Sequence, residues 1–169
     1  MTNTSRVSRR ILLAALATLV GAASVGPAVS AGQSAQQRVP PGEVKWPAAA
    51  QSLAGTSGVS QTVILKGDPT KAGLYTLLLR VGPNTKIQAH AHPDDRVAIV
   101  VSGTWYFGYG REFDEEALKA LPAGSFYTEP PLVDHFAMTK GEAVVIQITG
   151  AGPSGTAYVD PRNDPARKP

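Results

Sequence analysis

The chain has 169 residues, 16 of them basic and 13 acidic, with three histidines and no cysteine. Without cysteine there is no disulfide framework, so stability has to come from a packed hydrophobic core. The formal charge of +3 arises from Arg6, Arg9 and Arg10, because every acidic residue lies beyond position 31 and the remaining basic residues balance them. That balance gives no reason to expect nucleic acid or an anionic membrane as a partner.

In chain order, residues 1–31 read as a cleaved secretory signal peptide. Arginines precede an apolar run from Ile11 to Val20, and Val29 and Ala31 stand at positions −3 and −1 of a cleavage site. The run is about ten residues long, half of what a membrane span needs, so no stable anchor is expected after cleavage. "SRRILL" resembles a twin-arginine export signal, with Leu12 in place of the usual phenylalanine; the general secretory route stays open beside it. The expected location is exported, in the periplasm or outside the cell.

Residues 32–58, rich in Gly, Pro, Ala, Ser and Gln, read as an extended arm anchored by Val44 and Trp46. The domain proper is expected over 59–155. There "SQTVILK", "GLYTLLLRV", "RVAIVVS", "GTWYFGYG", "SFYT" and "EAVVIQITG" alternate with turn sequences, which predicts an all-β sandwich, jelly roll or small barrel. "FDEEALKAL" departs from this pattern. With Asp114 as N-cap and Phe113, Ala117, Leu118 and Leu121 on one face, it predicts a short inserted helix. Residues 156–169 read as a polar, proline-rich tail. "GYG" lacks the strand-to-helix context of a phosphate loop, so no nucleotide site is expected.

The chemistry concentrates in "HAHPDDRVAIVVSG", residues 90–103, and in His135 of "EPPLVDHFAMTKG". On a strand, residues two apart share a face, so His90 and His92 project together as an H-x-H pair does toward one metal. A solitary histidine would more often be a satisfied core or surface residue.

The two stretches resemble the two motifs of the cupin superfamily, in particular its small secreted single-domain bacterial members. The first motif is matched by Gly82, His90, His92, then three residues, Arg96 in the glutamate position, six residues, and Gly103. Seven residues, instead of the motif's five, separate Gly82 from His90. The second motif is matched by Gly124, five residues, Pro130, Leu132 in the glycine position, His135, and Thr139 in the asparagine position. The resemblance implies a double-stranded β-helix, a jelly-roll barrel with one short inserted helix, whose mouth holds a metal. It further implies His90, His92 and His135 as the metal ligands.

Arg96 changes that expectation. A guanidinium cannot ligate a cation, so the motif's carboxylate is missing and three imidazoles remain. Such a set suits one divalent transition metal, Fe(II) by preference, with Zn, Ni, Cu or Mn compatible, and argues against Mg or Ca. Three roles for Arg96 stay open. It can point inward to pair with a substrate carboxylate or enolate, leave Asp94 to serve as ligand instead, or pair with Asp94, Asp95, Glu129 or Asp134 to brace the barrel mouth. Tyr127 and Glu129 are candidate general acid or base groups. The aromatics Trp105, Tyr106, Phe107, Tyr109, Phe126, Tyr127 and Phe136 either line the pocket or divide between core and surface, where some would face a homodimer partner.

The expected function is a metal-dependent dioxygenase or related enzyme acting on a small anionic or chelating molecule. A non-catalytic binding or sensor barrel is the alternative.

Overall fold

Alternating apolar residues dominate the chain from Val59 onward, and they fold into two antiparallel sheets packed face to face. The computed structural model describes residues 36–49, 51–52 and 58–164. The proposed signal segment therefore lies outside the described residues. Eleven strands occur among the described residues: β1 Gln51–Ser52, β2 Val59–Lys66, β3 Gly73–Val81, β4 Lys86–Ala91, β5 Arg96–Ser102 and β6 Thr104–Tyr109, followed by β7 Lys119–Pro122, β8 Phe126–Glu129, β9 His135–Met138, β10 Val144–Gly152 and β11 Ala157–Tyr158. One sheet runs β1-β2-β3-β10-β5-β8 and the other β11-β4-β9-β6-β7. This is the expected all-β jelly-roll barrel.

Strict alternation along β5 and β10 builds the core. Ala98, Val100, Val144, Ile146 and Ile148 are buried against Trp105 and Phe107 of the facing sheet, while Val97, Ile99 and Val101 face outward. Gly103 makes the tight turn between β5 and β6 at φ 75°, a left-handed conformation that glycine adopts without steric cost. A Cβ there would sit 2.8 Å from the Ala143 carbonyl oxygen.

The helix expected at 113–121 does not form. Asp114 does cap, its Oδ1 accepting from the Glu116 amide at 2.9 Å, but the chain makes only one turn there. Lys119–Pro122 then pairs with β6 as β7. Pairing with an open sheet edge outcompetes a segment too short to repay helix nucleation. Phe113 packs on Phe136, at 5.3 Å between ring centroids, rather than stapling a helix.

Two further segments are more structured than their composition suggested. In the arm, the Arg80 guanidinium sits 3.9 Å over the Trp46 ring and Gln61 Nε2 donates to the Pro47 carbonyl at 2.7 Å. In the stretch read as a tail, Ala157 and Tyr158 pair with Ala91 and His90, and Asp160 caps a 3-10 turn at Pro161–Asn163.

Candidate metal centre

β4 and β9 lie side by side, with His90 directly opposite His135. The register slips between Ile87 and His90, so both of these residues enter the cavity although they are an odd number of positions apart. His92 follows two residues after His90 and faces the same way. The three rings pack with centroids 4.4 Å (His90–His135), 4.9 Å (His90–His92) and 5.2 Å (His92–His135) apart.

The hydrogen bonds fix each tautomer. Nδ1 of His90 donates to the Gln88 carbonyl at 2.7 Å, Nδ1 of His92 to the Gly155 carbonyl at 2.5 Å, and Nδ1 of His135 to the Val133 carbonyl at 2.9 Å. A backbone acceptor at Nδ1 leaves Nε2 as a bare lone pair. Nε2 of both His92 and His135 is buried without a hydrogen-bond partner. One ligand atom from each of the three histidines falls within 4.8 Å of the others. Burial also disfavours the charged form: the His90 pKa falls from 6.5 to about 3 and that of His92 to about 2, while His135 is lowered as well. Three neutral, convergent imidazoles, two of them with a buried Nε2 that has no hydrogen-bond partner, fit a divalent metal ion, and they could hold one.

Arg96, first residue of β5, stands opposite Glu129, last residue of β8. Their side chains form a buried ion pair, with Arg96 9% and Glu129 4% exposed. Glu129 therefore settles which acidic residue Arg96 meets. The same carboxylate reaches inward, its Oε2 lying 3.8 Å from His92 Nε2 and 3.9 Å from His135 Nε2. An anionic oxygen thus stands beside the histidines after all, supplied from across the sheet rather than from position 96.

Asp94 does not replace it. The strand ends at Ala91, and over 92–95 the even-numbered side chains no longer share a face. Asp94 turns away to accept from Tyr75 Oη at 2.7 Å and is absent from the cavity wall.

The cavity beneath the histidines holds about 180 Å³, walled by Leu77, Leu79, Ile87, Ala137, Ile146 and Ile148. Trp105, Phe107 and Tyr127 also face it. The other aromatics do not: Tyr109 and Phe126 are exposed, Tyr106 lies under the Lys140 ammonium, and Phe136 fills the core behind Gly108. Alternation along β6 separates Tyr106 from Trp105 and Phe107, as period-two geometry requires, whereas Tyr109 shares their parity but lies exposed at the strand end against the Phe107 ring. Tyr127 has its phenol pKa raised well above 10 by burial, with the nearby Glu129 charge adding to it, so the hydroxyl stays protonated.

Sequence reasoning passed over two contributors, Tyr158 and Gly155. Tyr158 lines the cavity with its ring 5.6 Å from His90, and the Gly155 carbonyl holds His92. Both lie where the sequence turns polar and proline-rich, so neither periodicity nor motif marked them. The second motif's replaced positions keep recognisable roles. Thr139 Oγ1 donates to the Gly82 carbonyl at 2.6 Å and accepts from the Thr85 amide at 2.9 Å, tying the two motifs together. Leu132 adopts φ 59°, the conformation a glycine would take without strain, and its amide donates to the His92 carbonyl at 2.8 Å.

No protein-family model matches the chain, and no curated protein matches it either. Solved structures do match. The polyketide cyclase RemF of Streptomyces resistomycificus is similar at 17% identity with TM-score 0.59, covering 78% of this chain and 90% of its own. The DMSP lyase DddQ of Ruegeria pomeroyi is similar at 12% identity with TM-score 0.55, covering 73% and 64%. A chain from the structures of the DMSP lyases RdDddP and RnDddQII gives 18% identity and TM-score 0.54, covering 68% and 62%. The present chain thus spans less than two thirds of either lyase chain's length. These neighbours are cupin-fold proteins, and at such identities the likeness is one of fold.

Proposed function

We propose that this chain is an exported metalloenzyme of the cupin superfamily, acting as a dioxygenase or related catalyst on a small anionic or chelating organic molecule. The observation that carries the proposal is the trio of neutral Nε2 lone pairs, each locked by a backbone carbonyl, converging over an apolar cavity. His90, His92 and His135 would hold the ion, with Glu129 beside them. When bound, a divalent ion supplies Lewis acidity toward a substrate oxygen or, as Fe(II), redox chemistry with dioxygen. Zn, Ni, Cu and Mn remain compatible with the same donors.

The chain's own residues divide the remaining work. Arg96 presents a permanent positive charge to an anionic substrate. Glu129 accepts a proton at its carboxylate oxygen, and Tyr127 offers one from its phenol. The apolar walls exclude water from the space between them. Removal of residues 1–31 would leave the domain soluble outside the cytoplasm, which N-terminal sequencing of the mature protein tests.

The central test is elemental analysis of untagged protein purified without chelator, followed by oxygen uptake on Fe(II)-loaded protein with diketones, thiols and hydroxy acids. Bound metal with substrate-dependent uptake supports the proposal, and protein that neither carries nor rebinds a transition metal refutes it. Metal without turnover moves the reading to a non-catalytic binding or sensor barrel. The Arg96–Glu129 pair favours that second reading, because in the described state it already satisfies both candidate catalytic charges.

A further inference from the structure

Each buried donor in a folded protein is expected to find an acceptor, because a donor taken out of water and left unpaired is costly. Three donors that break this rule face the cavity. Trp105 Nε1, Tyr127 Oη and Arg96 Nε are all buried without a hydrogen-bond partner. Their residues are 3%, 7% and 9% exposed and line the same space. Tyr127 lies within interaction range of Trp105, Glu129 and Arg96, and Arg96 is itself paired with Glu129, so these groups form one cluster on the cavity wall. They come from β5, β6 and β8, whereas the histidines come from β4, β9 and the residue after β4.

The cavity therefore has two kinds of polar wall. The histidines offer lone pairs, and the neighbouring cluster offers N–H and O–H groups. The Glu129 carboxylate paired with Arg96 lies between them, at 3.8 Å from His92 Nε2, and aliphatic side chains line the rest of the space. We infer that Trp105, Tyr127 and Arg96 form an acceptor-binding subsite that takes the carboxylate of a small organic acid with an apolar body. A carboxylate has lone pairs for all three donors and no proton to leave unsatisfied. Sugars and sugar phosphates fit poorly, because their hydroxyls would meet Leu77, Leu79, Ile87, Ile146 and Ile148. The cavity volume, about 180 Å³, limits the ligand to roughly the size of benzoate or a short branched acid. This substrate class rests on the proposed enzymatic reading but adds residues and a ligand chemistry to it.

The test uses benzoate and 2-methylpropanoate, with benzamide as a neutral counterpart, titrated calorimetrically into metal-free protein and into protein loaded with redox-inert Zn(II). The wild type should bind the acids more tightly than the amide. Tyr127→Phe and Trp105→Phe should each weaken acid binding about tenfold, the value of one hydrogen bond to a charged group. Tyr127→Phe should weaken benzamide by less than it weakens the acids, and leave the melting temperature equal or higher, since it deletes an unpaired buried hydroxyl. A purely structural tyrosine would instead lose melting temperature without acid selectivity.

Absence of acid binding to both forms of the wild type, or equal acid affinity in Tyr127→Phe, overturns the subsite. Failure to take up Zn(II) while the acids still bind with this donor dependence overturns the metalloenzyme reading and keeps the subsite.

Discussion

Replacing Arg96 with methionine should move stability and metal affinity in opposite directions. Both partners of the Arg96–Glu129 pair are at least nine-tenths buried, so removing one leaves the other as an uncompensated buried charge. That situation costs about 3–5 kcal/mol, or roughly 10–20 °C of melting temperature for a domain of this size. Glu129→Gln should cost a similar amount. The double variant Arg96→Met/Glu129→Leu, which removes both charges at nearly constant volume, should return to within about 1 kcal/mol of the wild type or exceed it.

Metal affinity follows the sign of the charge left behind. Glu129 Oε2 lies 3.8 Å from His92 Nε2, which places the Arg96 charge roughly 6 Å from the histidine centre. At an effective dielectric constant near 20, unit charges at that separation interact by about 3 kcal/mol, and a divalent ion doubles that. Arg96→Met should therefore bind Zn(II) at least about a hundredfold more tightly than the wild type, and Glu129→Gln more weakly. Urea denaturation of metal-free protein gives the first quantity and competition with a chromophoric chelator the second. Single variants within 1 kcal/mol of the wild type and additive in the double would refute the buried pair. Equal Zn(II) affinities in all three would refute the electrostatic argument.

Other outcomes follow from the same geometry. His90 and His92 are held neutral in the fold, with pKa values near 3 and 2 against 6.5 unfolded. The unfolded chain therefore takes up protons first, and metal-free stability, complete above pH 6.5, should fall on acidification. The loss approaches about 1.4 kcal/mol per pH unit for each histidine, and urea midpoints between pH 7 and 5 that do not move would contradict it. His135→Ala should abolish stoichiometric metal binding by elemental analysis. It should also remove the rise in melting temperature that the wild type shows on metal addition, worth about 4 kcal/mol at a thousandfold excess over Kd. Leu132 sits at φ 59° with 74% of its surface exposed, so Leu132→Gly relieves strain and loses little burial. It should raise stability by about 0.5–1 kcal/mol in urea denaturation, and a loss would show that the leucine side chain packs usefully.

Strand periodicity and motif spacing made much of the barrel legible beforehand. β2, β3, β5, β6, β8 and β10 coincide with the apolar runs of the sequence, and β5, β8 and β10 alternate in burial as half-buried strands do. β4 and β9 do not stand out as apolar runs. Their inward positions go to Ile87, His90, His135 and Ala137, and their pairing depends on a register slip that no local pattern announces. The 113–121 segment misled because capping and amphipathicity are local signals, whereas the edge of β6 that captured Lys119–Pro122 is a tertiary feature.

The sequence alone determined the all-β class and paired His90 with His92, since i, i+2 geometry acts over a short distance, while the resemblance to a two-part motif added His135 to the same candidate site. Tertiary structure decided the rest of the chemistry. It brought Glu129 across from β8 to face Arg96, turned Asp94 toward Tyr75, and folded Gly155 and Tyr158 back onto the histidines. Which charges meet, and which donors go unpaired, depends on strand order and register across the barrel.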